Sequence, residues 1–223
     1  MLKPIASALI ASSVLMASSG VMADDWFVGG TVGKVKQDSV FTGDDGSDKT
    51  KLKDTYLGVR AGKFINDNIR LYVNLGKFKD SDKDREVESE SGIQQVTDTA
   101  VDIKNSELSF SMDYVDSIFS LKNTKYFVGG TLGLNYMDST VAVTESVTQG
   151  NTTASASVKE SKGDTGFIYG AQFGVIQEFT PAISAEIGYR YAKTTNEAKM
   201  FGGNLKIKQK AQKMPYMTVS YHF

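Results

Sequence analysis

Eight times along this chain, apolar residues alternate with polar or small ones over segments of about ten residues. Side chains of an extended strand point alternately to two faces. Each such segment therefore presents one greasy face and one polar or small-residue face. The segments are Trp26–Val35, Thr55–Phe64, Ile69–Phe78, Ser106–Val115, Tyr126–Met137, Phe167–Val175, Ile183–Tyr191 and the closing run through Met217, Val219, Tyr221 and Phe223. Short and long polar stretches separate them in turn. An even number of such segments with alternating link lengths is the pattern of an all-β, eight-stranded antiparallel transmembrane β-barrel with short periplasmic turns and long extracellular loops.

A water-soluble sandwich would show the same alternation, so the polar face has to decide. Arg60, Arg70, Glu107, Asp113, Glu186 and Arg190 all fall opposite the continuous apolar face, three positive and three negative. In a small membrane barrel that face is the lumen, where charges persist only in pairs, and an equal count fits an interior ion-pair network. Glycines 29, 33, 58, 62, 129, 133, 170 and 174 share this face and leave room for long side chains.

The first residues form a separate unit. Lys3 is the only charge, an apolar stretch runs from Ile5 to Ala17, and Val21-Met22-Ala23 supplies small residues at a cleavage spacing. The pattern predicts a secretory leader over 1–23, removed after Ala23, with a barrel domain over 24–223. The apolar stretch is shorter than the roughly 20 residues a spanning helix needs. Composition removes further classes. There is no cysteine for a disulfide, a thiolate metal site or a thiol nucleophile, and one histidine leaves little for an imidazole metal site. With Lys+Arg 25 against Asp+Glu 26, no basic field points to nucleic acid. Neither a metal nor another cofactor is expected.

The chain also repeats itself. "WFVGGTVG" at Trp26–Gly33 returns as "YFVGGTLG" at Tyr126–Gly133, and Gly58, Gly62 and Gly76 correspond to Gly170, Gly174 and Gly188. Two four-stranded halves follow, neither able to close alone. With the leader, the alternating short and long links and the ending "MTVSYHF", the chain resembles small outer-membrane barrels of the OmpA/OmpX and opacity-protein type. That resemblance implies a Gram-negative outer-membrane location with loops at the cell surface. It also implies that Met217, Val219, Tyr221 and Phe223 form the signal read by the barrel-assembly machinery, with Phe223 and Tyr221 foremost.

The long links would be Gln37–Lys53, Lys79–Asn105, Asp138–Asp164 and Ala192–Lys213, read as mobile surface loops. Asp80–Lys104 carries eight acidic and three basic residues, whereas Ala192–Lys213 carries six lysines and one glutamate. Lys193, Lys199, Lys206, Lys208, Lys210 and Lys213 are therefore expected to contact lipopolysaccharide, since cations beside a membrane attract anionic head groups. The third link alternates again on both sides of Gln149-Gly150-Asn151, which predicts a protruding hairpin. Its exposed edges would suit pairing with another chain.

Other motifs carry less. "GGTVGK" at Gly29–Lys34 lacks the glycine spacing and the following Ser/Thr of a phosphate loop. Asn151-Thr152-Thr153 matches a glycosylation acceptor that means nothing in a bacterial envelope, and Asp44-Asp45-Gly46 reads as a turn. His222 sits at the periplasmic end, far from the outer-leaflet depth at which acyl chemistry would occur. The expected role is a monomeric, non-enzymatic surface protein that supports envelope integrity and adhesion or host-surface contact. The alternative is a narrow pore for ions or small polar solutes.

Overall fold

The computed structural model describes residues 26–43, 46–90, 93–118, 121, 123–149 and 152–223. The expected leader, the Asp44-Asp45 turn and the Gly150-Asn151 tip lie outside them. The strands are β1 (Trp26–Gly43), β2 (Gly46–Asn66), β3 (Ile69–Glu90), β4 (Ile93–Ser117), β5 (Thr124–Gln149), β6 (Thr152–Thr180), β7 (Ile183–Thr194), a short β8 (Glu197–Met200) and β9 (Leu205–His222). Each strand from β1 to β6 pairs antiparallel with the next, β7 pairs with β9, and β9 returns to β1, closing an eight-stranded ring. β8 pairs only with the outer part of β9. At the seam the Trp26 and Phe223 main chains bond both ways, with Trp26 N–H donating to Phe223 O at 3.3 Å and Phe223 N–H to Trp26 O at 3.0 Å.

The turns at the Trp26 end are built by short polar side chains that mimic the backbone. Asn66 Oδ1 accepts from the N–H groups of Asn68 (2.9 Å) and Ile69 (2.8 Å), and Thr180 Oγ1 accepts from Ile183 N–H (3.0 Å) beside Pro181. Following one row of cross-strand partners shows how the ring is sheared. The row runs Lys63, Leu71, Met112, Gly130, Ala171, Tyr191, Lys213, Lys36 and returns to β2 at Lys53, ten residues from where it began. Such stagger makes the strands tilt about the barrel axis, so every row climbs as it circles.

The side-chain faces are those the alternation predicts. Val28, Val32, Leu57, Val59, Phe110, Met112, Leu132, Phe173 and Ile187 point outward and are exposed, while Phe27, Tyr72, Phe127 and the polar series point in and are buried. Aromatic residues rim the apolar band at both levels: Trp26, Tyr114, Tyr126 and Phe223 below, Tyr136, Phe167 and Tyr191 above. On β5 the band runs from Tyr126 to Tyr136. At about 3.3 Å per residue and a tilt near 40° that covers about 25 Å, the height of an outer-membrane barrel's apolar belt.

The outer links are not mobile loops. β3 and β4 stay in register from Ile69↔Tyr114 to Glu90↔Ile93, and β5 and β6 from Thr124↔Gln177 to Gln149↔Thr152. β4 and β5 also pair up to Ile93↔Gln149, so β3 to β6 continue outward as one sheet. The predicted hairpin on β5 and β6 is one part of this arm. The physical reason for the correction is that outside lipid no face has to be greasy. The hydrophobic signal of the strand lapses there while main-chain pairing goes on.

Candidate functional site: a packed lumen and a basic outer face

The lumen is filled in layers. At the lower end Phe27 meets Phe64 and Tyr72 (ring centroids 5.9 Å each), and His222 sits 5.8 Å from Phe27 with Ser184 Oγ at 2.8 Å from its Nε2. Ser184 is a neighbour the sequence did not disclose. Tilted and edge-on rings make this a closing layer.

Above it the six predicted charges come together. Arg60 donates both guanidinium ends to Glu186 (3.0 and 2.6 Å), and Arg70 reaches Glu186 at 2.9 Å and Asp113 at 2.8 Å. Arg190 makes the matching fork to Glu107 (2.6 and 2.7 Å). Paired N–H groups aimed at two carboxylate oxygens hold geometry as well as charge. Neutral groups complete the shell: Tyr216 Oη donates to Glu186 (2.8 Å), and Gln172 Nε2 to Asp113 (2.7 Å). The Arg70 guanidinium also lies 4.8 Å from the Phe127 ring and Arg190 5.4 Å from Tyr56. None of the six charged residues is more than 5% exposed.

An amide layer follows, where Asn135 Nδ2 donates to Asn105 Oδ1 and Asn196 Oδ1, both at 2.9 Å. The uppermost layer is apolar: Leu52, Ile103, Met137, Val141, Met200 and Ile207 pack together inside the outward-extended strands. These residues were missed, yet a signal for them exists. On β2 the odd positions Leu57 and Val59 face outward while the even Leu52 faces in. On β4 even Leu108 and Phe110 face outward and odd Ile103 faces in. The apolar face changes sides at the upper edge of the band, and a change of parity can be read in a sequence.

On the outside, just above the band, the climbing row reaches three lysines in succession: Lys213 on β9, Lys36 on β1 and Lys53 on β2 stand directly opposite one another. Like charges facing each other across strands repel. The positive field is thickened by exposed Lys34, Lys51, Lys193, Lys199, Lys208 and Lys210 and by half-buried Lys206. Asp38 answers Lys213 (3.0 Å), and Glu197 answers Lys206 (2.8 Å), whose bond holds that carboxyl below the usual carboxylate range. The six lysines expected from the β7–β9 link therefore form one side of a larger basic face. Lys34, Lys36, Lys51 and Lys53 come from far along the chain, and only closure of β1 on β9 unites them.

The sequence matches the family described as outer membrane protein beta-barrel domain over residues 5–223. The chain belongs to that family. Its place is accordingly the Gram-negative outer membrane, which it crosses with strands. The chain is similar to solved outer-membrane barrels, and it shares the fold of the first of them. Neisserial surface protein A is 20% identical with a TM-score of 0.54, over 89% of this chain and 97% of that one. OprH of Pseudomonas aeruginosa is 25% identical with a TM-score of 0.46, over 89% and 99%. OprG of the same organism is 15% identical with a TM-score of 0.47, over 92% and 99%. No curated protein sequence matches the chain.

Proposed function

We propose that this outer-membrane barrel is a closed, non-enzymatic surface protein. It reinforces the outer leaflet by holding anionic lipid groups on its lysine face, and it presents its outer arm for contact with other surfaces. The observation that carries the reading is the filled interior: forked ion pairs across the middle and an apolar layer above them. A pore would need a continuous wet path through both, and stepping an ion past paired guanidinium and carboxylate groups would break bonds worth several kcal/mol apiece. In planar bilayers the folded protein should give no steady conductance steps. Reproducible single-channel openings would overturn the closed reading in favour of a pore for small polar solutes.

The lysine face supports the lipid part. It stands just above the apolar band, carries directly opposed like charges, and would gain from any anion laid across it. Replacing Lys193, Lys199, Lys206, Lys208, Lys210 and Lys213 with glutamine should cut co-purifying lipopolysaccharide about tenfold or more. Co-purification at the level of the parent protein would remove the lipid role. For adhesion, the arm offers the open edges of β3 and β6. The β3 edge is strongly charged, which discourages pairing, whereas Thr152–Val158 on β6 carries no charge at all. Met217, Val219, Tyr221 and Phe223 lie on the outward face of β9 or just past its end, exposed and open to an assembly factor before β1 closes.

A further inference from the structure

The same climbing row that ends in lysines passes a gap in the lipid-facing wall. Gly130 on β5 and Ala171 on β6 are direct partners and both face outward, so the wall carries nothing larger than one methyl group there. Met112 on β4 and Tyr191 on β7 flank them in the same row, and Leu132 and Tyr169 stand in the row above. Together they bound a groove of about 550 Å³ whose surface is almost wholly apolar. Lys193 lines its upper end, opposite Tyr169 on one side. Lys213 stands opposite Tyr191, diagonal to Lys193 across the β7–β9 pair.

We propose that this groove seats one acyl chain of a phosphorylated outer-leaflet lipid, with Lys193 and Lys213 taking its phosphate. Depth selects the occupant. Gly130 is midway between Tyr126 and Tyr136 in the apolar band, where only hydrocarbon reaches it. Charge selects the head group, because the groove opens at its upper end onto ammonium groups at the height where lipid phosphates lie. A smooth wall would meet any lipid equally. A chain lying in a preformed recess gains contacts on several sides and loses less on ordering than it would against a mobile surface. The proposal rests on the reading of the lysine face as an anionic-lipid contact and adds where the lipid's tail goes.

Gly130 is well placed for a test, since a Cβ there meets nothing nearer than the Gly170 carbonyl oxygen at 3.7 Å, an ordinary contact. The full-length barrel, folded into phosphatidylcholine vesicles containing either phosphorylated or dephosphorylated lipid A, would be released into mild detergent. Native mass spectrometry then counts retained lipid. The parent should hold one phosphorylated lipid and about tenfold less of the dephosphorylated form. Gly130→Leu with Ala171→Leu fills the groove with every lysine in place, and retention should fall about tenfold, with an unchanged urea midpoint showing that the barrel is intact. Lys193→Gln with Lys213→Gln should abolish the preference for phosphate. Full retention by the groove-filled protein would overturn the acyl seat while leaving the lysine reading standing. Loss on filling with an undiminished phosphate preference in the lysine variant would overturn the assignment of the head group. A parent that keeps neither lipid would overturn both.

Discussion

Glu186→Gln is expected to unfold at a much lower urea concentration than the parent barrel in lipid vesicles, a loss of about 3–5 kcal/mol and a midpoint lowered by about 1 M or more. Glu186 is where the interior charges meet: it accepts from Arg60, Arg70 and Tyr216. Glutamine keeps the shape but turns one acceptor into a donor facing guanidinium groups, and leaves two buried cations sharing the single charge of Asp113. The cost is that of stranded charge in a place with little water to answer it. Trp26 is the only tryptophan and faces lipid at the lower rim, so its emission reports unfolding without added labels. Removing both members of the other fork, Arg190→Met with Glu107→Leu, should cost far less than either single change, because no partner is left behind. A midpoint unmoved by Glu186→Gln would show that the network does not hold the interior together.

Adjacent glycines should respond in opposite ways. At Gly129 an added Cβ would fall within the radii of Asp113 Oδ1 and the Met112 carbonyl oxygen, and one of these is backbone that cannot step aside. Gly129→Ala should therefore destabilise by about 1–3 kcal/mol and disturb the carboxylate that Arg70 and Gln172 bond. At Gly130 the nearest atom to an added Cβ is the Gly170 carbonyl oxygen at 3.7 Å, an ordinary contact, and Gly130→Ala should stay within about 0.5 kcal/mol of the parent. The pair Gly29 and Gly30 in the first copy of the repeat shows the same contrast: Ser220 Oγ would lie 2.6 Å from a Cβ at Gly29, while Gly30 looks onto open space. Equal urea midpoints for the two alanine variants would contradict the inward and outward assignment of the motif.

How far the sequence could be read depended on what surrounds each stretch. Where lipid lies outside and a narrow lumen inside, the two faces must differ, and the alternation at Leu57–Ala61 or Leu108–Tyr114 located strands and faces correctly. The six interior charges were legible because they fell on the wrong side for a lipid-facing wall. Which arginine takes which carboxylate was not, since it depends on the shear that sets Arg60 across the barrel from Glu186. Beyond the band, Lys79–Glu90 and Ile93–Lys104 carry no consistent alternation because both faces of an arm can meet water, and only their pairing makes them strands. The basic face was half visible. Lys193 to Lys213 lie close together in sequence, whereas Lys36 and Lys53 join them through a seam between the first and last strands.

That seam also bears on when the protein can exist. Thr31 and Thr218, which share a hydroxyl hydrogen bond of 2.8 Å across it, are 187 residues apart. A contact spanning so much chain is among the slowest for a diffusing polymer to find, and it rewards nothing until it forms. Until β9 arrives, the lumen has no eighth wall, Glu186 lacks Tyr216, and β1 and β7 both present unsatisfied edges. A chain without β9 in place therefore has no closed interior. Maturation is gated by the last strand delivered, and the rate of ring closure, more than the depth of the final energy well, should set how much of this protein a cell can display.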